Sequence, residues 1–280
     1  MAVAAIPFDL VEVKLAAPSA RPGTVAKADA IGRLCASTLP FATVVAPAGY
    51  GKTTLLAKWV EADSRPFAWV ALDGRDDDAV VFLRYIAAAI HGVEPIPAEV
   101  FEALSGPGGS TWSNRVPRVG SALGALERPL VLVLDDLHAV ANPSCLDALA
   151  VLLQYVPAGS QIVIASREDP ALPLARWRAQ GLVHEIGVPD LRLNQQEAGL
   201  LLEAAGVELD AAALSRLTER TEGWPAGLYL AALSSQAGAP SPASPAGFTG
   251  DDRFLSEYFR FELLSRLPPD EGSFSSTPRC

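Results

Sequence analysis

The chain is short of cysteine, methionine, histidine and positive charge, and it has no long apolar run. Of its 280 residues three are cysteine, three histidine and one methionine. Cys35, Cys145 and Cys280 are scattered and have no metal-ligand spacing, which excludes a disulfide framework and gives no zinc site. A reducing, cytoplasmic setting fits that usage. Lys and Arg number 22 against 32 Asp and Glu, a formal net charge of -10. Affinity for a nucleic-acid backbone rests on clustered Lys and Arg, so direct nucleic-acid binding by these residues is not expected. The most hydrophobic stretch, Leu130 to Leu134, is bounded by Pro129 and Asp135. It falls far below the roughly 20 residues of a membrane helix, and no membrane partner is expected. Met1 to Phe8 is apolar but lacks a basic n-region and a convincing cleavage site before Asp9 and Glu12, so no export signal is read.

Half of the residues are apolar, enough for one nucleotide-binding domain and something smaller. The rest of the chain is arranged around Ala46-Pro47-Ala48-Gly49-Tyr50-Gly51-Lys52-Thr53-Thr54, which reads as a phosphate-binding loop of the Walker A kind. Phe41 to Val45 precedes it as a strand, and a helical pattern with Leu55, Leu56, Trp59 and Val60 follows. Gly49 and Gly51 let the backbone curl so that N–H groups from Ala48 onward face one concavity, to which the new helix adds its positive end. Lys52 is expected to reach the β- and γ-phosphates, Thr53 to ligate Mg²⁺, and Thr54 to make a lesser contact. The expected ligands are ATP or ADP with Mg²⁺. The usual pattern opens with Gly where this chain has Ala46.

Strand and helix patterns alternate to about residue 190. Strands are expected at Phe41 to Val45, Phe67 to Leu72, Leu130 to Leu134, Gln161 to Ala165 and Leu182 to Val188. Helices are expected over Lys27 to Thr38, Asp77 to His91, Val116 to Leu126 and Leu146 to Tyr155, with residues 1–24 and Gly106 to Ser113 as loops. Strands apolar at every position are buried on both faces, so the fold class is α/β: a three-layer P-loop NTPase with a central parallel sheet. Asn194 with Glu197 resembles a helix cap with its capping-box partner, and helices over 209–221 and 226–235 follow, giving a small helical domain. The domain reading is a lead-in at 1–26, the NTPase domain at 27–190, a helical subdomain at 191–236, a flexible linker at 237–250 and a further region at 251–280, whose helix is Phe254 to Leu267.

A second set of chemical residues follows the strands. Asp135 and Asp136 end the most apolar one, at the sheet edge where ligands bind. Asp135 is assigned to the metal and Asp136 to the attacking water, with capping of the next turn as the alternative. Arg167 follows the fourth strand and is a candidate to sense the terminal phosphate, with an ion pair to Glu168 or Asp169 as its alternative. His138 reads as a packing or turn residue, and Trp59, Trp69, Trp177 and Trp224 as core.

Four segments occur in an order that resembles a known family: Ala46 to Thr54, Asp135 to His138, Ala165-Ser166-Arg167 running into Pro173-Leu174-Ala175-Arg176, and Glu222-Gly223-Trp224-Pro225-Ala226-Gly227-Leu228. Over roughly residues 10 to 272 the chain is similar to the large ATP-binding LuxR-type transcriptional regulators, a group within the STAND class of P-loop ATPases. The resemblance implies an ATP-binding regulatory switch in which ATP closes the helical segment onto the α/β domain and ADP relaxes it. It also implies that Gly223 and Pro225 form the Gly-x-Pro motif that approaches the nucleotide. The family often has Val-Pro-Arg near its start, where this chain reads Val25-Ala26-Lys27, and residues after Glu271 leave the family pattern. The expectation is therefore an N-terminal fragment or truncated product, with 251–280 as the start of a truncated winged-helix-like region and without the repeat sensor and helix-turn-helix of the family, that hydrolyses ATP slowly if at all. Self-association stays open. A small-molecule phosphotransferase and a remnant that binds nothing are the rival readings.

Overall fold

Strands apolar on both faces, each leading into a helix, can bury themselves only between two helical layers, and that is the arrangement found. A computed structural model describes residues 6–20, 23–106, 111–236 and 257–258. In chain order the elements are α1 (Ala28–Ala36), β1 (Phe41–Val45), α2 (Lys52–Ala62), β2 (Phe67–Ala71), α3 (Ala79–Val93), α4 (Ala98–Ser105), α5 (Val116–Gly124), β3 (Val131–Asp135), α6 (Pro143–Leu152), β4 (Gln161–Ser166), α7 (Leu174–Ala179), β5 (Val183–Ile186) and α8 (Val188–Leu191). They are followed by α9 (Gln195–Ala204), α10 (Ala211–Arg220) and α11 (Pro225–Gln236). Two compact units result. Among the described residues the first holds 6–20, 26–47 and 51–191, and the second holds 23–25, 48–50, 192–236 and 257–258.

In the first unit the strands pair in parallel in the order β2-β3-β4-β1-β5. Returning from β1 to the far edge at β2 leaves room for β3 and β4 between them. The carboxyl ends of β1, β3 and β4 therefore lie side by side, and Ala46 N–H extends the ladder by donating to the Ser166 carbonyl at 3.2 Å. On one side of the sheet, Leu132, Leu134, Ile162 and Ile164 pack with Phe82, Ile86, Phe101 and Leu149. Trp59, on α2, is fully buried and meets Phe67 edge-on at 5.2 Å. Burial of side chains this size contributes roughly 1.5–3 kcal/mol each, which is why the sheet centre holds the unit together.

Several boundaries differ from the sequence reading. Glu12–Leu15, expected as loop, is a 3-10 turn whose Lys14 is buried, bonded to Asp76 and paired with Asp73 at 3.2 Å. The helix expected from Asp77 starts at Ala79 because the Asp78 carboxylate takes the Val80 and Val81 amides. Likewise α6 begins at Pro143, earlier than Leu146, because Asn142 caps it. Residues 111–115 form a wide helical turn where part of a loop was expected. Neither α4 nor α7 was anticipated as a helix. Both are short and begin next to a proline, so periodicity has little to act on.

In the second unit α9 opens with the expected capping box, Asn194 and Glu197 each bonding the other's backbone. Its core is Leu193, Ala198, Leu202, Leu217, Leu228, Ala231 and Ala232. The linker at 237–250 lies outside the described residues. So does the Phe254 to Leu267 helix of the 251–280 region, except for Glu257 and Tyr258.

Candidate functional site

The loop after β1 begins at Ala46, which is buried and is not among the non-glycine residues with positive φ. A Cβ is therefore tolerated where the usual motif has Gly. Gly49 and Gly51 do take left-handed backbone, at φ 78° and 82°, which L side chains adopt only at a cost. Gly51 is the N-cap of α2, and no side chain caps that helix. Its first amides are left for a ligand, the condition for anion binding at a helix N-terminus. Lys52 is buried, and its ammonium donates to the Ala46 and Pro47 carbonyls at 2.8 and 3.2 Å, folding across the turn it belongs to.

The first residue of α2 after Lys52 meets the end of β3. Thr53 Oγ1 donates to Asp135 Oδ2 at 2.8 Å. Asp135 is only 3% exposed. Burial, with the neighbouring Asp136 charge second, raises its pKa to about 6, against the pull of the Thr53 hydrogen bond and Lys52. A carboxylate held dry beside a hydroxyl is half of a hard-cation site, since Mg²⁺ takes oxygen ligands and would relieve both causes of the raised pKa. The residues present thus fit a Mg²⁺-bound polyphosphate.

Asp136 follows in left-handed backbone, φ 59°, and its own N–H returns to Asp135 Oδ1 at 3.0 Å. Such backbone costs of order 1–3 kcal/mol in a non-glycine residue. Leu137, 1% exposed, anchors the 3-10 turn that follows. The Asp136 side chain is half exposed, and His138 Nδ1 stands 3.8 Å from its Oδ1. His138 lies in that 3-10 turn with its side chain mostly buried, as the packing or turn reading expected. Arg167 leaves β4, the strand between β1 and β3, and is half-buried. The alternative ion pair with Asp169 has another claimant, since Arg178 reaches Asp169 at 3.4 Å and Glu185 at 2.7 Å.

Within the second unit the loop apex Ala48–Tyr50 packs with the Gly223 to Gly227 segment. Glu222 and Gly223 both have positive φ, and a Cβ on Gly223 would lie 2.3 Å from the Leu193 carbonyl oxygen. The turn they make points Trp224 at the apex, where its Nε1 donates to the Ala48 carbonyl at 3.0 Å. After Pro225, the Ala226 N–H donates to the Gly49 carbonyl at 3.1 Å. Trp224, expected in the core, is half-buried and polar in its use. Sequence reasoning placed Trp59 and Trp69 correctly but missed Trp224, although the flanking glycines were a signal that a large ring lies over the backbone there.

Residues 28–165 match the family described as the AAA ATPase domain. The chain is 32% identical over 232 residues to the HTH-type transcriptional regulator MalT of Yersinia enterocolitica serotype O:8, covering 81% of this chain and 26% of that protein. It is 31% identical over 270 residues to the protein of the same description from Yersinia pestis strain Pestoides F, covering 95% of this chain and 30% of that one. The chain spans less than a third of the length of these relatives. Among solved structures it is similar to a Signal Transduction ATPase with Numerous Domains protein with a tetratricopeptide repeat sensor from Pyrococcus horikoshii, TM-score 0.54 at 14% identity, covering 76% of this chain and 30% of that one. That likeness is one of fold. Residues 28–165 thus match the AAA ATPase domain, and over most of its length the chain is similar to the MalT-type regulators.

Proposed function

We propose that this chain is the ATP-binding switch module of a MalT-like transcriptional regulator. The observation that carries the reading is the Thr53–Asp135 hydrogen bond, which brings the end of the phosphate loop and the acid of β3 to one point inside the sheet edge. In the roles supported by that geometry, the amides from Ala48 to Thr53 bind the phosphates and the Lys52 ammonium leaves its carbonyls for the β- and γ-phosphate oxygens. Thr53 and Asp135 would hold a Mg²⁺ ion, which when bound would supply charge neutralisation to the phosphate groups. Asp136, raised out of the strand by its left-handed backbone, orients water or accepts its proton, and Arg167 meets charge developing on the terminal phosphate. Pro225 and its neighbours belong to the nucleotide-responsive part. Thr54 makes the lesser contact.

A module of this kind works because its conformations differ in affinity for ATP and ADP, and only that difference can shift their populations. Two of the relatives are described as HTH-type transcriptional regulators, and the proposal extends a regulatory role to this chain. Slow hydrolysis is part of it, since Asp136 is a short side chain for positioning a water. Isothermal titration of ATP with Mg²⁺ tests the reading. The wild-type chain should bind and Lys52→Ala should lose most of the affinity. Equal binding by the two, or by neither, contradicts it.

A further inference from the structure

In a trans peptide the carbonyl of one residue and the N–H of the next point in opposite directions in one plane. The Ala48 carbonyl is thus tied to the Gly49 N–H, and the Gly49 carbonyl to the Tyr50 N–H. Both carbonyls are taken: Ala48 by the Trp224 indole at 3.0 Å, Gly49 by the Ala226 amide at 3.1 Å. Holding them turns the two N–H groups to the opposite side and polarises both peptide groups, which makes each a stronger donor.

The surroundings are built for this grip. A Cβ on Gly227 would lie 2.4 Å from Trp224 Cε3, so only glycine lets the indole lie across the start of α11. A Cβ on Gly49 would stand 2.6 Å from Ala226 Cβ, 2.7 Å from Trp224 Nε1 and 2.9 Å from Tyr258 Oη. The indole also meets the Tyr258 ring, centroids 5.5 Å apart at an interplanar angle of 64°. All of these residues lie in the second unit.

We propose that Trp224 is a positioning residue for phosphate binding, whose indole N–H, with the Ala226 N–H, aims the Gly49 and Tyr50 amides at the phosphoryl oxygens of a nucleoside di- or triphosphate. The inference rests on the nucleotide-binding reading above and adds a residue to it. Two substitutions separate hydrogen bonding from packing. Trp224→Phe keeps an apolar ring and loses the donor. Trp224→His is smaller and more polar, yet carries an N–H at the same place in its five-membered ring.

The measurement is ADP affinity of the full chain by calorimetry. Loss of one such hydrogen bond predicts that Trp224→Phe weakens binding about fivefold while Trp224→His stays within roughly twofold of wild type. If Trp224→Phe binds as well as Trp224→His or better, packing is the role of the indole and the inference is overturned. If the wild-type chain binds no ADP at all, the inference and the nucleotide reading fall together, an outcome distinct from the first.

Discussion

The hydroxyl of Thr53 and the carboxylate of Asp135 lie 2.8 Å apart although 82 residues separate them in the chain. One heads α2 and the other ends β3, strands and helices that meet only because β4 was laid between β1 and β3. Replacing Thr53 by Val keeps the shape and removes the oxygen. Metal-supported ATP binding should then weaken roughly 10- to 100-fold. Binding in the presence of a chelator should be little changed, and titration with and without Mg²⁺ reads both.

Asp135 also makes a pH signature. Its pKa is raised by burial and by Asp136 to about 6, above its value in an unfolded chain. The folded state therefore keeps this proton longer than the unfolded one, so the group's contribution favours folding at low pH and is lost as pH rises through about 6. Without nucleotide or metal, wild type should lose roughly 2–3 kcal/mol relative to Asp135→Asn between about pH 4 and pH 7. Denaturant midpoints of the two proteins across that range check the sign. Metal binding runs the other way, since it needs the deprotonated acid, and should strengthen as pH rises through about 6.

Asp136 should matter to turnover and little to affinity. Asp136→Asn keeps the side-chain shape and leaves the acid that faces Thr53 untouched. Single-turnover hydrolysis should slow by roughly 100-fold or more, the scale of a lost general base, with the ATP dissociation constant within about threefold of wild type. An unchanged rate would move the water-orienting role elsewhere.

Gly223 is fixed by geometry of its own. With φ 71° and the Leu193 carbonyl 2.3 Å from where a Cβ would stand, Gly223→Ala should cost roughly 2–4 kcal/mol. Gly74, with nothing within 4 Å of the same position, should tolerate Ala with little change. Thermal midpoints of the two variants compare a required glycine with an incidental one.

How much of this was legible beforehand depended on how local the signal was. The strand, glycine turn and helix around Lys52 lie within about twenty adjacent residues and obey short-range geometry, so Gly49, Gly51, Lys52 and Thr53 were readable as a unit. Leu130 to Asp135 was readable because an uninterrupted apolar run ending in acids has few other uses. Strand order was not, since β1 and β4 are joined by hydrogen bonds between residues more than a hundred positions apart. Lys14 lay in a stretch readable only as loop, because its partners, Asp73 and Asp76, come from a distant turn. Trp224 was read from its size alone. Only the folded chain shows that Gly227 clears space for the ring and that Ala48 offers it a carbonyl.

The central claim is that the main chain around Lys52 wraps a phosphate group. Amide NMR of the chain, titrated with ADP and Mg²⁺, tests it most directly. The largest shifts should fall on the N–H groups of Gly49, Tyr50, Gly51, Lys52 and Thr53, with the sharpest change where a hydrogen bond to phosphate forms. Saturating nucleotide that leaves those five resonances in place, or moves a different set of amides instead, would contradict the account.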